Sequence, residues 1–152
     1  GRVHLPSRSF KLVGHPFSLR TNPQVDAQFS ASYAVALALS SGSVGLRSFT
    51  TQGVLDNRAA QELARRIEVA ELPNSGAQSA WDAETRVEIK LQKGTTLERR
   101  ARGIPASTGA LLRRKVADCL AFAGSAAADA DRLMALCIDS DAEEGHSIET
   151  LA

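Results

Sequence analysis

The stretch that most restricts how this chain folds is Asn22–Leu39, NPQVDAQFSASYAVALAL. Asn22 is a good helix cap, and Pro23 suits a first helical position, where its missing N–H costs nothing. Beyond Asp26 the stretch carries no charge and is mostly Ala, Val and Leu. A helix apolar on nearly every side belongs inside a protein, packed on both faces. The small side chains of Ala31, Ala34, Ala36 and Ala38 let neighbouring elements come close. Ser30 and Tyr33, three apart, then put two hydroxyls on one helical face. A buried helix either satisfies such a pair with backbone or presents it to something.

The flanking chain reads as an α+β domain built on that helix. Upstream, SFKLV (9–13) alternates and is expected as a strand, with Pro6 demoting the residues before it to an edge or lead-in. Gly14-His15-Pro16 breaks that strand. Gly42 and Gly45 close the central helix, and Leu46–Phe49 makes one further turn. Thr50 or Thr51 caps a short helix through Leu55. Asp56 or Asn57 caps the next, whose Ala60, Leu63, Ala64 and Ile67 trace one face.

IEVAEL (67–72) alternates as a strand and PNSGAQSA (73–80) is a loop by composition. Thr85–Leu91 and Thr96–Arg102 form a hairpin with one wet face. From Thr108 to Gly124 a helical period runs through Leu112, Val116, Cys119, Leu120 and Ala123. Ser125 opens a last long helix carrying Ala130, Leu133, Met134 and Cys137. DSDAEEGHS (139–147) reads as an acidic loop before a short final helix. The expected architecture is a two-layer α/β sandwich over residues 1–106, followed by a helical segment over 107–152.

The totals exclude several classes. A formal net charge of +1 gives no reason to expect nucleic acid or an acidic membrane as partner. Arg99, Arg100, Arg102, Arg113, Arg114 and Lys115 make the middle basic, but solvated faces account for them. The two cysteines, Cys119 and Cys137, make no disulfide framework, and no membrane-length apolar run or signal peptide occurs. A cytoplasmic protein is the expectation. The only methionine is Met134 and the first residue is Gly1, so a piece of a longer chain is expected.

His4, His15 and His146 are scattered, with no carboxylate or cysteine at ligand spacing, so neither metal nor other cofactor is expected. His15, in a turn, reads as a surface residue. The glycines lack phosphate-loop spacing, and Ser30 lacks the glycines of a nucleophile elbow. Tyr33 is the one candidate for chemistry: a partly desolvated phenol can donate a proton or hold a developing negative charge. The structural alternative is a buried tyrosine whose hydroxyl meets a backbone carbonyl.

NPQVDAQFS followed by Tyr-Ala-Val-Ala-Leu-Ala-Leu resembles the MmgE/PrpD family, which contains 2-methylcitrate dehydratase. KLVGHPF (11–17) and Arg102-Gly103-Ile104-Pro105 resemble further landmarks in the same order. Ile104 departs from the histidine usual there. The likeness covers most of the chain but only the C-terminal part of a longer enzyme.

It implies a small α+β lid closing on a preceding all-helical domain, as a homodimer, and metal-free acid–base chemistry on small polycarboxylates. The reactions are dehydration, decarboxylation or epimerisation. The family's Asp, His and Lys acid–base groups would lie in that helical domain, so these residues alone are expected to be inactive. The resemblance makes Tyr33 the catalytic residue carried by the lid, with Ser30 and Gln28 as substrate-binding neighbours. The competing expectation is a free-standing binding or dimerisation module that keeps the lid fold without catalysis.

Overall fold

Strand β1 (Arg2–Pro6) is the strand to which the sheet is anchored in the computed structural model, which describes residues 1–72, 83–103, 108–126 and 128–143. It pairs in parallel with β2 (Glu68–Leu72) on one side and antiparallel with β3 (Glu84–Lys90) on the other. Strand β4 (Thr96–Arg102) follows β3 antiparallel, so the order is β2-β1-β3-β4. Parallel pairing of β1 with β2 requires a crossover, and residues 7–67 supply it with helices. The result is an α+β fold: a four-stranded mixed sheet and seven α-helices among the described residues.

This placement corrects the upstream expectation. SFKLV lies in helix α1 (Ser7–Val13), and the strand is the segment before it. Pro6 ends the strand and serves as the N-cap of α1. Pairing with β3 covers only Arg2–His4 and stops short of Pro6, so an interior strand tolerates it. Phe10 and Val13, three apart, pack on the core while Leu12 stays exposed. That is one helical face, which a five-residue alternation imitates.

The Asn22–Leu39 stretch is two helices rather than one. Helix α2 (Pro23–Gln28) begins at Asn22, whose side chain accepts from the amide of Val25. Helix α3 (Ala31–Ser41) begins at Ser30, in extended conformation, whose hydroxyl accepts from the amide of Tyr33. The hydroxyl that seemed to share a helix face with Tyr33 therefore starts a new helix. Gly42 closes α3 in the left-handed region, at φ 68°. A 3₁₀ turn (Leu46–Phe49) follows, then α4 (Thr51–Asp56) and α5 (Arg58–Ala64), capped by Thr50 and Asn57. Buried Gln61 donates to the carbonyls of Val54 and Leu55, satisfying the end of α4.

Alternation divides the sheet. Val3 and Leu5 join Tyr33, Ala36, Leu37, Val54, Ala60, Ala64 and Ile67 in the core, with Val69 and Val87 packed against it. The opposite face carries charge: Arg2 pairs with Glu68, and Arg100 with Glu98. His4 is buried there, its Nε2 3.3 Å from Glu88 and 3.2 Å from Arg86. Sequence spacing gave no hint of that carboxylate contact. The hairpin is wetter than expected, since β4 is exposed along its whole length and Leu91 lies past the end of β3.

The chain divides into two compact units, Gly1–Pro105 and Ala106–Ala152. The second contains α6 (Gly109–Phe122), capped by Thr108, and α7 (Ala128–Glu143), joined by an ion pair between Arg113 and Asp131. Ala130 and Met134 are buried, whereas Leu133 is half exposed. Residues 139–143, expected in an acidic loop, continue α7. Acidic residues near a helix C-terminus cost only a few tenths of a kcal/mol, too little to end a helix that is already propagating. The 73–80 loop, Ile104-Pro105, His146 and the expected final helix lie outside the described residues.

Candidate functional site

The junction of α2 and α3 is where the predicted site residues fall, and the structure separates them. Tyr33 is fully buried, with its ring 4.8 Å from that of Phe17 and 6.1 Å, edge-on, from that of Phe49. Its hydroxyl has no hydrogen-bond partner among the described residues, so the expected backbone carbonyl is not there. Burial pushes the phenol's pKa above its ordinary value. The phenol is therefore uncharged at neutral pH. An unpaired buried hydroxyl costs about 1–3 kcal/mol, which its aromatic packing must offset.

Ser30 is also buried, its Oγ 3.1 Å from that of Ser32. It forms part of the floor of a cleft of about 330 Å³ in the first unit. Gln28 is exposed on α2 and does not line that cleft. Of the three predicted site residues, only Ser30 reaches it.

What surrounds Ser30 was not foreseen. Asp26, on α2, is buried and accepts from Arg20 twice: the backbone amide at 2.6 Å on Oδ2, and Nε at 3.0 Å on Oδ1. The Arg20 Nη2 lies 2.9 Å from the same Oδ1. The guanidinium itself is largely solvent-facing on the rim, held there by a carboxylate that water barely reaches. His15 follows the α1 C-cap Gly14 and opens onto the same cleft. Leu12, Val25 and Phe29 supply exposed apolar walls. The HPF and RTNPQVD segments carried these residues, and the chain between α1 and α2 brings them to one cleft with Leu12.

Among the described residues, no three His, Cys, Asp or Glu side chains are grouped to hold a metal ion. No described helix is long and apolar enough to cross a membrane.

A mixed four-stranded sheet crossed by capped helices, with a small cleft at a helix junction, defines an α+β domain. The family profile described as MmgE/PrpD C-terminal domain matches residues 2–140, and the chain belongs to that family. No curated protein matches it.

Proposed function

We propose that the chain is the lid and C-terminal part of a cytoplasmic MmgE/PrpD-type enzyme. It acts on a small polycarboxylate by acid–base chemistry, in a dehydration, decarboxylation or epimerisation. The observation that carries this reading is the family match over residues 2–140. The common step is movement of a proton next to a carboxylate, which builds negative charge that a positioned donor must stabilise. Tyr33 is that donor in this reading: burial keeps it protonated, and its hydroxyl is uncommitted among the described residues. Ser30 and Gln28 are the substrate neighbours in this reading; Ser30 lines the cleft, whereas Gln28 lies outside it on the exposed side of α2. The remaining acid–base groups come from a preceding helical domain, which the lid covers in a homodimeric enzyme, excluding water as it closes.

The test is turnover of 2-methylcitrate, cis-aconitate and iminodisuccinate by the product of the whole gene, beside its Tyr33→Phe variant. Turnover of one of them is expected, with kcat lowered at least about 100-fold in the variant and melting temperature preserved. A whole-gene product that turns over none of the three overturns the reading. Wild-type kcat in Tyr33→Phe removes Tyr33 from the chemistry. A native mass near 16.1 kDa would instead favour a non-catalytic binding or dimerisation module.

A further inference from the structure

We propose that the open edge of β4 takes an added strand from an acidic, extended peptide segment. Among the described residues β4 is the outer strand of the sheet, and it is exposed at every position. The amide of Leu91 donates to the carbonyl of Thr95 at 2.8 Å, which fixes the parity of the β3–β4 ladder. Leu97, Arg99 and Ala101 therefore spend their backbone groups on β3, while Thr96, Glu98, Arg100 and Arg102 turn theirs outward. That row of donors and acceptors, unpaired among the described residues and free of proline, is a template for strand addition.

Charge decides what can use this edge. A two-fold antiparallel pairing through the outward groups always sets one residue opposite its own copy. With more than half of the strand overlapped, that residue is Glu98, Arg99 or Arg100, so two copies repel at the axis. An acidic partner meets the opposite situation. Arg100 is committed to Glu98, 2.6 Å away, whereas the side chain of Arg99 has no partner among the described residues. The side chain of Arg102 is 79% exposed and approaches Glu84 only to 3.5 Å. Arg99 and Arg102 lie on opposite faces of the sheet, since side chains alternate along a strand. A strand with one acidic side chain on each face complements them, and an apolar residue opposite exposed Leu97 completes the match.

The experiment is fluorescence anisotropy of a labelled peptide, Glu-Val-Thr-Glu-Thr-Val-Thr, with the whole-gene product, beside hydrogen exchange read by mass spectrometry. Laid antiparallel on β4, the peptide sets its glutamates opposite Arg102 and Arg99 and its second valine opposite Leu97. Saturable binding is expected, with exchange slowed over residues 96–102. Lysine in place of both glutamates should weaken binding at least about tenfold, and Arg99→Glu should weaken it about fivefold. Arg99 is exposed, so that variant should keep the parent melting temperature. N-methylation of the first two threonines, whose amides face β4, should weaken binding at least about tenfold. N-methylation of the second glutamate and second valine, whose amides face away, should change it by less than about twofold.

Absence of saturable binding, equal binding of the lysine peptide, or equal losses from the two methylation patterns overturns the proposal. So does exchange over 96–102 that is already slow in the whole-gene product alone. Exchange there that slows as the protein is concentrated without peptide also overturns it, and assigns the edge to a second copy. None of these readouts depends on turnover, so the enzymatic reading is tested independently.

Discussion

The backbone amide of Tyr33 donates to the hydroxyl oxygen of Ser30 at 3.2 Å, so the residue that starts α3 also fixes where the phenol sits. One serine thereby joins local helix formation to the position of the candidate proton donor.

Ser30→Ala removes that cap and should cost about 1 kcal/mol of stability. Ser30→Asp keeps an acceptor beside the α3 N-terminus and should recover most of the loss. Urea unfolding of the three proteins measures this. Equal midpoints for Ser30→Ala and the parent would mean that the cap contributes nothing.

Tyr33 has a predictable alkaline signature. Its folded pKa lies above the ordinary value of 10.0, so the stability it confers is complete below that pH. That stability declines as pH rises through the window between the unfolded and folded values, because unfolding releases the proton. Tyr33→Phe should keep the packing on Phe17 and Phe49 and flatten this part of the alkaline limb. At neutral pH its stability should equal the parent's or exceed it by about 1 kcal/mol, since an unpaired buried hydroxyl is lost. Tyr33 is the chain's only tyrosine, so ultraviolet titration of tyrosinate reports its ionisation without ambiguity.

Asp26 and Arg20 should respond unequally to mutation. Asp26→Ala strips the acceptor from both the Arg20 amide and its guanidinium, and should cost about 2 kcal/mol. Arg20→Ala leaves the amide bond in place and removes a side chain that is mostly in water, so its cost should stay below about 1 kcal/mol. Thermal or urea melts of both variants decide the matter, and equal losses would show that the side-chain pair dominates.

Much of the architecture was legible where local signals agreed with one another. The β3–β4 pairing followed from strict alternation around the Gly94 turn, and α6 from Thr108 at one end and Gly124 at the other. Thr50 and Asn57 capped the helices assigned to them. The errors fell where one local pattern has two physical solutions. Five residues of SFKLV fit either period, and only the pairing of β1 with two distant strands decides between them. Ser30 can ride inside a helix or begin one, and capping is the better use of a hydroxyl there. The cleft was the least legible part. Ser30 stands out in the sequence, but His15 and Arg20 meet it through the path of the irregular segment between α1 and α2, which no spacing along the chain encodes.

The interior position of β1 has a consequence for how the domain is made. Arg2 finds its partner Glu68 66 positions later, and β3 arrives later still. A chain emerging from the ribosome therefore holds its first strand in waiting while every helix of the crossover is synthesised. Throughout that interval the edges of β1 lack both of their strand partners, leaving it open to a chaperone or to another nascent copy. Such non-local closure places folding toward the slow end for a domain this size. Its yield in the cell should be set by how long β1 waits for β2 rather than by the stability of the finished sheet.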